Sequence, residues 1–566
     1  MKKISSYRLY PFLCRAFIVP ALICSFAAPQ VICAAAAEPG EASAGDTSSG
    51  ASEADASSGA SQADASSDTT GAADSASAAV VDVPELILSK CYLLESDNYE
   101  NIADGYYQAI LLTEESGKKF PALSTGLSET NTRITASCRE SFKDLAEKSK
   151  EYNAGHKDAD KPVPASFEYS ITPVRQDDKA VSFFTSCYSF LPGAAHGMTT
   201  FEGITLDTAT GKEVAIDQVI KDKKALVAAI NENLRLMSTG ESAGDREESI
   251  SEALASVDYF PSWVLSDNGV IFRFDPEAIG AYAEGPMEAE ITFLKYPDLF
   301  TDAYGPHTGS YTLPVGTIYP VMADLNGDGV TEQISLNARP NESENMNSYT
   351  ALRVAVGDKE CLRETYFFNA RGVLLHTGAG KNYLYVQTIT DNDYRIFSVF
   401  DLNGEKPVFV GELNGTGLTA RYRRESENSD IWYLDEQLIS SPDSFTLDTH
   451  MDLMSTYSAT RRYKVGEDGM PVPLTEDYEI DSDLVLTALT DLPADTVDPA
   501  SGAVTKKSAI MPKGTKCRLY RTNGKDTVDV ITEDGTVYRF NVTEVWPQKV
   551  NGLRIDEAFD GTMYAG

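Results

Sequence analysis

The residues whose spacing points most directly to chemistry are Asp324-Leu325-Asn326-Gly327-Asp328-Gly329-Val330-Thr331-Glu332. Oxygens at positions 1, 3 and 5 of such a run converge on one hard cation when the backbone wraps tightly. Gly329 permits the sharp turn, the Val330 carbonyl can add a ligand, and Glu332 supplies an acid at position 9. Ser335 stands where an EF-hand needs its last acid, and a strand, not a helix, is expected next. The run therefore predicts a structural calcium site on Asp324, Asn326, Asp328, Val330 and Glu332. The competing reading is an acidic turn held by Asx hydrogen bonds. Asp391-Asn392-Asp393, with Asp401 and Asn403, lacks the spacing and reads as turns.

A second segment, Gly193-Ala194-Ala195-His196-Gly197, sets a histidine among small residues. His196 could act as a general base, but a structural histidine bonded to a backbone carbonyl in a tight turn is the favoured role. His156, His307, His376 and His450 are isolated, and no H-x-x-x-H or H-E-x-x-H spacing exists, which argues against a zinc enzyme. Gly240-Glu241-Ser242-Ala243-Gly244 matches G-x-S-x-G. A nucleophile elbow needs a strand before the serine and a helix straight after it. Here a helix precedes and the flanks are polar, so a plain loop is expected.

These residues must be held by ordered elements. Ile134, Cys138, Phe142 and Leu145 recur at helical spacing and predict a helix over 131–153. A second is expected over 222–237, with Asp222 as N-cap and Leu226, Ile230 and Leu234 on one face. Strands are expected at Val181–Phe190, Ile204–Leu206, Val214–Ile216, Ile271–Phe274 and Ala289–Phe293. That mixture predicts an α+β module over 81–310. Beyond it short strands dominate: Gln333–Leu336, Ala351–Val356, Tyr383–Thr388, Arg395–Phe400 and Val408–Val410, punctuated by Asn-Gly turns. An all-β region over 311–495 follows, then a small β unit over 496–566. The strand rhythm of that last unit is similar to a bacterial SH3-like barrel.

Two resemblances add to this reading. The Asp324 loop resembles the D-x-D-x-D-G-x-x-D/E loops of integrin-type FG-GAP repeats, which join strands and bind calcium. The G-x-A-H-G element at 193–197, the Asp207-Thr208-Ala209-Thr210-Gly211-Lys212 turn, Asp267–Phe274 and Ile279-Gly280-Ala281-Tyr282-Ala283-Glu284-Gly285 occur in order. Together they resemble the extracellular module that accompanies PdaC-type peptidoglycan deacetylases. The same module forms the outer part of RsiV-type lysozyme-sensing anti-sigma factors. The resemblance implies a non-catalytic, wall-facing or ligand-binding module. It carries over neither deacetylase chemistry nor sigma-factor control, because no paired histidine motif and no membrane-plus-cytoplasmic segment is found.

Composition narrows the setting. The 566 residues carry a formal net charge of −37. Phosphate neutralisation needs clustered Lys and Arg, so nucleic acid is excluded as a partner. An anionic membrane surface is disfavoured for the same reason, and no nucleotide cofactor is indicated. Lys2, Lys3, Arg8 and Arg15 precede an apolar run to about Ala28 and a small-residue stretch, the order of a secretory signal over 1–35. An uncleaved anchor is the alternative. Residues 36–80, with GASEADASS then GASQADASS, predict an acidic Ala/Ser/Gly/Asp linker. Cys91, Cys138, Cys187, Cys361 and Cys517 are scattered and read as buried thiols, although a bridge among the first three could form. The sequence thus predicts a secreted or loosely wall-held multidomain binding protein. Its expected ligand is a wall polymer or a cationic wall-degrading protein such as lysozyme. A wall-modifying hydrolase or deacetylase and a structural surface protein are the alternatives.

Overall fold

The computed structural model describes residues 83–564, apart from 98–99, 157–161, 238–239, 258, 308, 342–347, 427–428, 430 and 544. The expected secretory signal and acidic linker lie outside the described residues. From Asp82 onward the chain forms one compact unit.

It opens with a long hairpin that the sequence reading did not single out, β1 (Leu86–Asp97) and β2 (Glu100–Leu112). A short helix α1 (Glu114–Lys119) leads into α2 (Pro121–Gly155). The expected helix over 131–153 is real but begins ten residues earlier. Pro121 occupies the first turn, where its missing N–H costs nothing. Leu123 and Leu127 then continue the buried stripe of Ile134, Cys138, Phe142 and Ala146. Gly126 extends the same face, because a Cβ there would strike the Gly211 carbonyl.

Three antiparallel strands follow: β3 (Ala165–Gln176), β4 (Ala180–Phe190) and β5 (Met198–Asp207). β2 runs parallel to β3, the connection being made by α2. Phe167, Tyr169, Ile171 and Phe183 pack with Leu123, Ile134 and Cys138 on the helix side of the sheet.

The next layer holds α3 (Lys223–Asn233), β6 (Arg235–Leu236), α4 (Glu247–Ala255), β7 (Ser262–Leu265), β8 (Gly269–Phe274) and β9 (Met287–Thr292). Asp222 caps α3 as expected, its carboxylate accepting from the Lys224 and Ala225 amides. The helix ends at Asn233, short of the expected 237, because Leu234 turns extended and the chain enters β6. Strands β6 to β9 form a four-stranded sheet in the order β6-β9-β8-β7. Leu226 and Ile230 of α3 meet Phe272, Phe274, Ala289 and Ile291 in its core.

The remainder is strands, as expected, with one short helix near the end. A five-stranded sheet contains β10 (Tyr311–Val315), and the four-stranded sheet packed with it contains β11 (Val321–Ala323), β12 (Glu332–Pro340), β13 (Tyr349–Val356) and β14 (Lys359–Phe367). The other members of the first are β15 (Asn369–His376), β16 (Asn382–Ile389), β17 (Arg395–Asp401) and β18 (Val408–Asn414). After β19 (Thr416–Leu418) the hairpin β20 (Ala420–Arg424) and β21 (Trp432–Gln437) leaves this region and pairs with β1. The first sheet is therefore seven-stranded, in the order β20-β21-β1-β2-β3-β4-β5.

Twelve of the strands between 416 and 560 make one sheet. The segment 496–566 closes no barrel of its own among the described residues. Tyr478–Ile480 pairs with Lys516–Thr522, and Leu492–Val497 pairs with Val537–Asn541. The protein is thus multidomain and mostly β, with an α/β N-terminal part. No described helix is long and apolar enough to cross a membrane.

Candidate functional site

Two of the sequence elements that lie far apart in the chain meet at one exposed place. The loop after β4 brings His196 against Tyr282 of the 279–285 element, with ring centroids 4.2 Å apart and planes 27° from parallel. The Tyr282 hydroxyl donates to the Gly197 carbonyl at 3.0 Å and lies 2.8 Å from His196 Nδ1. That geometry makes Nδ1 the protonated nitrogen, sharing its hydrogen between the Tyr282 oxygen and the Gly197 carbonyl. The glycines do the positioning. Gly193 has φ +87° and lies where a Cβ would strike the Tyr152 ring, and a Cβ on Gly197 would strike Tyr188. His196 is therefore an exposed turn histidine bonded to backbone, not a group in a deep cleft. No carboxylate bonds it among the described residues.

The Asp324 loop joins β11 to β12. Asp324 Oδ1 accepts from the Gly327 and Asp328 amides at 2.7 and 3.2 Å, and Oδ2 from Gly329 at 2.7 Å. Asn326 Oδ1 takes the Asp328 amide, and Asp328 Oδ1 takes the Val330 amide, both at 2.8 Å. Glu332 folds back onto the Leu325 amide and the Asn326 side chain. The five predicted donors thus share one Asx-turn loop with Gly327 and Gly329 at positive φ. Burial raises the Glu332 carboxyl above its ordinary value, and the neighbouring Asp324 and Asp328 charges push the same way. The loop also abuts the preceding module: a Cβ on Gly329 would meet Leu294, and an open cavity of about 340 Å³ is lined by Asn268, Leu294, Pro306 and Asp324. The 391–393 segment is a short 3-10 turn with Asn392 at φ 57°, in line with the turn reading.

The sequence reading missed a third constellation. Among the described residues, Asp177, Asp267 and His307 are the only Asp, Glu, His or Cys groups that bring three ligand-type atoms within 4.8 Å. Arg175 lies in the same cluster. Its Nε bonds Asp177 Oδ2 at 2.7 Å, and its Nη1 bonds the Ser266 and Gly305 carbonyls at 3.1 and 3.0 Å. His307 sits 2.9 Å from Asp177 through Nδ1 and 2.9 Å from the Ser310 carbonyl through Nε2. Because both acceptors are oxygens, both ring nitrogens act as donors and the ring is an imidazolium. Burial lowers the His307 value, but the Asp177 bond and the Asp267 charge outweigh it and leave it raised. Burial likewise opposes ionisation of Asp177, yet His307 and Arg175 hold its carboxyl far below the usual range. Asp267 is the opposite case. Burial drives it up to about 7, and its Oδ2 has no hydrogen-bond partner. A fixed guanidinium and an imidazolium already supply the positive charge here, so the chemistry is that of a buried ionic latch. It ties β3, the β7–β8 turn and the 305–310 linker together. No periodicity or motif marks it, since its members are scattered over 130 positions.

The class these features define is a β-rich multidomain chain built around a small α+β domain with an exposed aromatic turn. That domain has a family: residues 214–293 match the family model described as a protein of unknown function, DUF3298. The matched span lies inside the expected 81–310 module and includes the Tyr282 element, while His196 and the Asp207 turn precede it. A crystal structure of a DUF3298 family member from Bacteroides fragilis is 12% identical. It aligns over 40% of this chain and 95% of that one, with a TM-score of 0.29. A DUF3298 family protein from Pseudomonas aeruginosa PAO1 is 15% identical over 40% of this chain and 97% of that one, with a TM-score of 0.27. No curated protein matches the chain.

Proposed function

We propose that this is a secreted, non-catalytic binding protein that works at or near the cell wall, with the aromatic turn of the first module as part of its recognition surface. The observation that carries the reading is the meeting of His196 with Tyr282, which puts two module elements on one exposed face. A stacked histidine and tyrosine offer ring faces and bonded polar edges, a surface suited to recognition. Among the described residues His196 makes no bond to a carboxylate that would orient it as a base, which favours binding over the wall-modifying alternatives. Export rests on the signal-like N-terminus, and the acidic charge favours neutral or cationic ligands over polyanions. In this reading the Asp324 loop takes calcium through Asp324, Asn326, Asp328, the Val330 carbonyl and Glu332, and the ion would stiffen the loop against the module.

The test is sedimentation of the full chain with purified wall sacculi and capture on immobilised lysozyme at physiological salt. Retention by either, weakened by Tyr282→Ala, supports the reading. Retention by neither, or turnover of wall material by the chain alone, would count decisively against it.

A further inference from the structure

Helix α2 packs on one face of the seven-stranded sheet, and β7 and β8 cover part of the other, where Val174 and Phe184 are buried with Val264 and Ile271. Cys91, Tyr107, Phe167 and Tyr169 point to the helix core. Side chains alternate along a strand, so their neighbours line the other face. Paired registers place Tyr92 opposite Tyr106, Tyr106 opposite Glu168, Glu168 opposite Tyr188 and Tyr188 opposite Thr199. The result is one row across five strands, β1 to β5, with every member half-buried. Strands lie about 4.8 Å apart, so the row is about 19 Å long. It ends at the module's aromatic turn, where Gly197 rests on the Tyr188 ring and accepts from Tyr282.

The chemistry of the row is mixed. Lys90 Nζ sits 3.7 Å from the Tyr106 ring centroid and 5.4 Å from that of Tyr92. The Tyr106 hydroxyl lies 2.9 Å from Ser170 Oγ and donates to Glu168 at 3.2 Å. Ring faces therefore alternate with an ammonium, a carboxylate and hydroxyls. Lys90 beside Glu168, and Arg371 bonded to Glu436, are cations offset by carboxylates and make no field for a polyanion, and the net charge of −37 opposes one. A narrow line of rings is too small for an ordinary protein interface, which covers about 800 Å² per partner. A pyranose chain has the complementary pattern: apolar C–H faces that lie on rings, and hydroxyls around the edge that need donors and acceptors. The length suits a short oligosaccharide and exceeds a single sugar.

We propose that this half-buried row on the face opposite α2 is a groove for a linear β-linked glycan, running from Lys90 and Tyr92 past Tyr106, Glu168 and Tyr188 to the His196–Tyr282 turn. This inference rests on the wall-recognition reading and names its ligand class.

The probe is the β-1,4-linked N-acetylglucosamine series, from monomer to hexamer, titrated calorimetrically against the full chain. Affinity should climb with length up to about the tetramer. Tyr106→Ala and Tyr188→Ala should each weaken tetramer binding by about tenfold. Tyr106→Phe keeps the ring and should stay near wild type. Glu168→Gln guards against a folding failure in the alanine variants: it preserves shape and should lower affinity severalfold. Equal affinity for monomer and hexamer, or alanine variants that bind as wild type, would overturn the groove. So would a chain that sediments with sacculi or captures lysozyme yet ignores every oligomer, and in that case the wider reading survives. A chain that binds neither wall, lysozyme nor oligomer removes both.

Discussion

Replacing Asp267 by asparagine should make the protein less sensitive to pH, and more stable in mild alkali. The side chain is 3% exposed, and its Oδ2 has no partner. Burial pushes its carboxyl up to about 7, with Asp177 adding to the rise and Arg175 and His307 opposing it. The unfolded chain ionises Asp267 near 3.8. Between these two values the folded protein holds a proton that the unfolded chain has lost. Stability linked to Asp267 is therefore fully present below about pH 4 and is lost as pH rises through about 7. Each tenfold difference in acidity between the folded and unfolded chain is worth about 1.4 kcal/mol, so the loss is on the order of 4 kcal/mol. His307, raised above 6.5, works in the same direction at higher pH. Glu290, driven to about 7 by burial and also left with an unpartnered oxygen, does so as well. Asp177 works the other way, since its depressed carboxyl loses its contribution only as pH falls below the ordinary carboxylate range. Wild type should then be most stable near pH 4, and weaken by several kcal/mol on going from there to pH 8. Asparagine has the shape of the neutral acid. Asp267→Asn should flatten about a third to a half of that slope. The assay is urea unfolding at pH 5.5 and 8.0, together with hydrogen exchange of the His307 amide, which bonds the Asp267 carbonyl at 2.9 Å. An unchanged slope, or an asparagine variant that is weaker than wild type at pH 8, would refute the argument. Asp267 would then be an ionised counter-charge to Arg175 and His307.

Three further outcomes are expected. Asp177→Ala leaves Arg175, 2% exposed, without its carboxylate, and should destabilise by about 3–5 kcal/mol in denaturant unfolding, with Asp177→Asn less severe. Millimolar calcium should raise the thermal midpoint of wild type and leave Asp328→Ala unmoved, whereas EGTA should reverse the gain; an identical response in both proteins would remove the ion from the loop. Asp222→Ala deletes the acceptor for the Lys224 and Ala225 amides and should cost about 1 kcal/mol, read as a shift of the urea midpoint without a change in slope.

Periodicity made the local elements legible, and long-range pairing stayed hidden. The stripe Ile134, Cys138, Phe142 announced α2, and Asp222 announced the start of α3, because each signal lies within a turn or two of its helix. The first turns of α2 were obscured by Gly126 and a run of Ser and Thr, residues that propensity places in loops. Tertiary contact explains them: Gly126 is needed against Gly211, and Asn131 bonds the Ile110 backbone from mid-helix. The hairpin at 420–437 offers a more general lesson. Its Arg- and Glu-rich strands look like an ordinary exposed hairpin. Their partner, β1, lies more than 300 residues earlier, and nothing in either segment encodes that pairing locally.

The same distinction explains which functional features could be read. The Asp324 loop and the His196 turn are contiguous runs, so their chemistry shows in the sequence even before any fold exists. The tyrosine row is not contiguous at all. Tyr92, Tyr106, Glu168 and Tyr188 become neighbours only through three separate strand registers, and a one-residue slip in any of them would send its side chain into the α2 core. Local structure guards against such a slip. A Cβ on Gly105, beside Tyr106, would strike the Phe167 carbonyl beside Glu168, so only glycine lets these parallel strands approach at that point. Gly105→Ala should therefore disturb the row from a position that touches no ligand. It should lower oligosaccharide affinity and thermal stability together, whereas Tyr188→Ala should separate the two, losing affinity with a smaller loss of stability. Affinity that survives Gly105→Ala unchanged would mean that the register of β2 on β3 does not set the recognition surface.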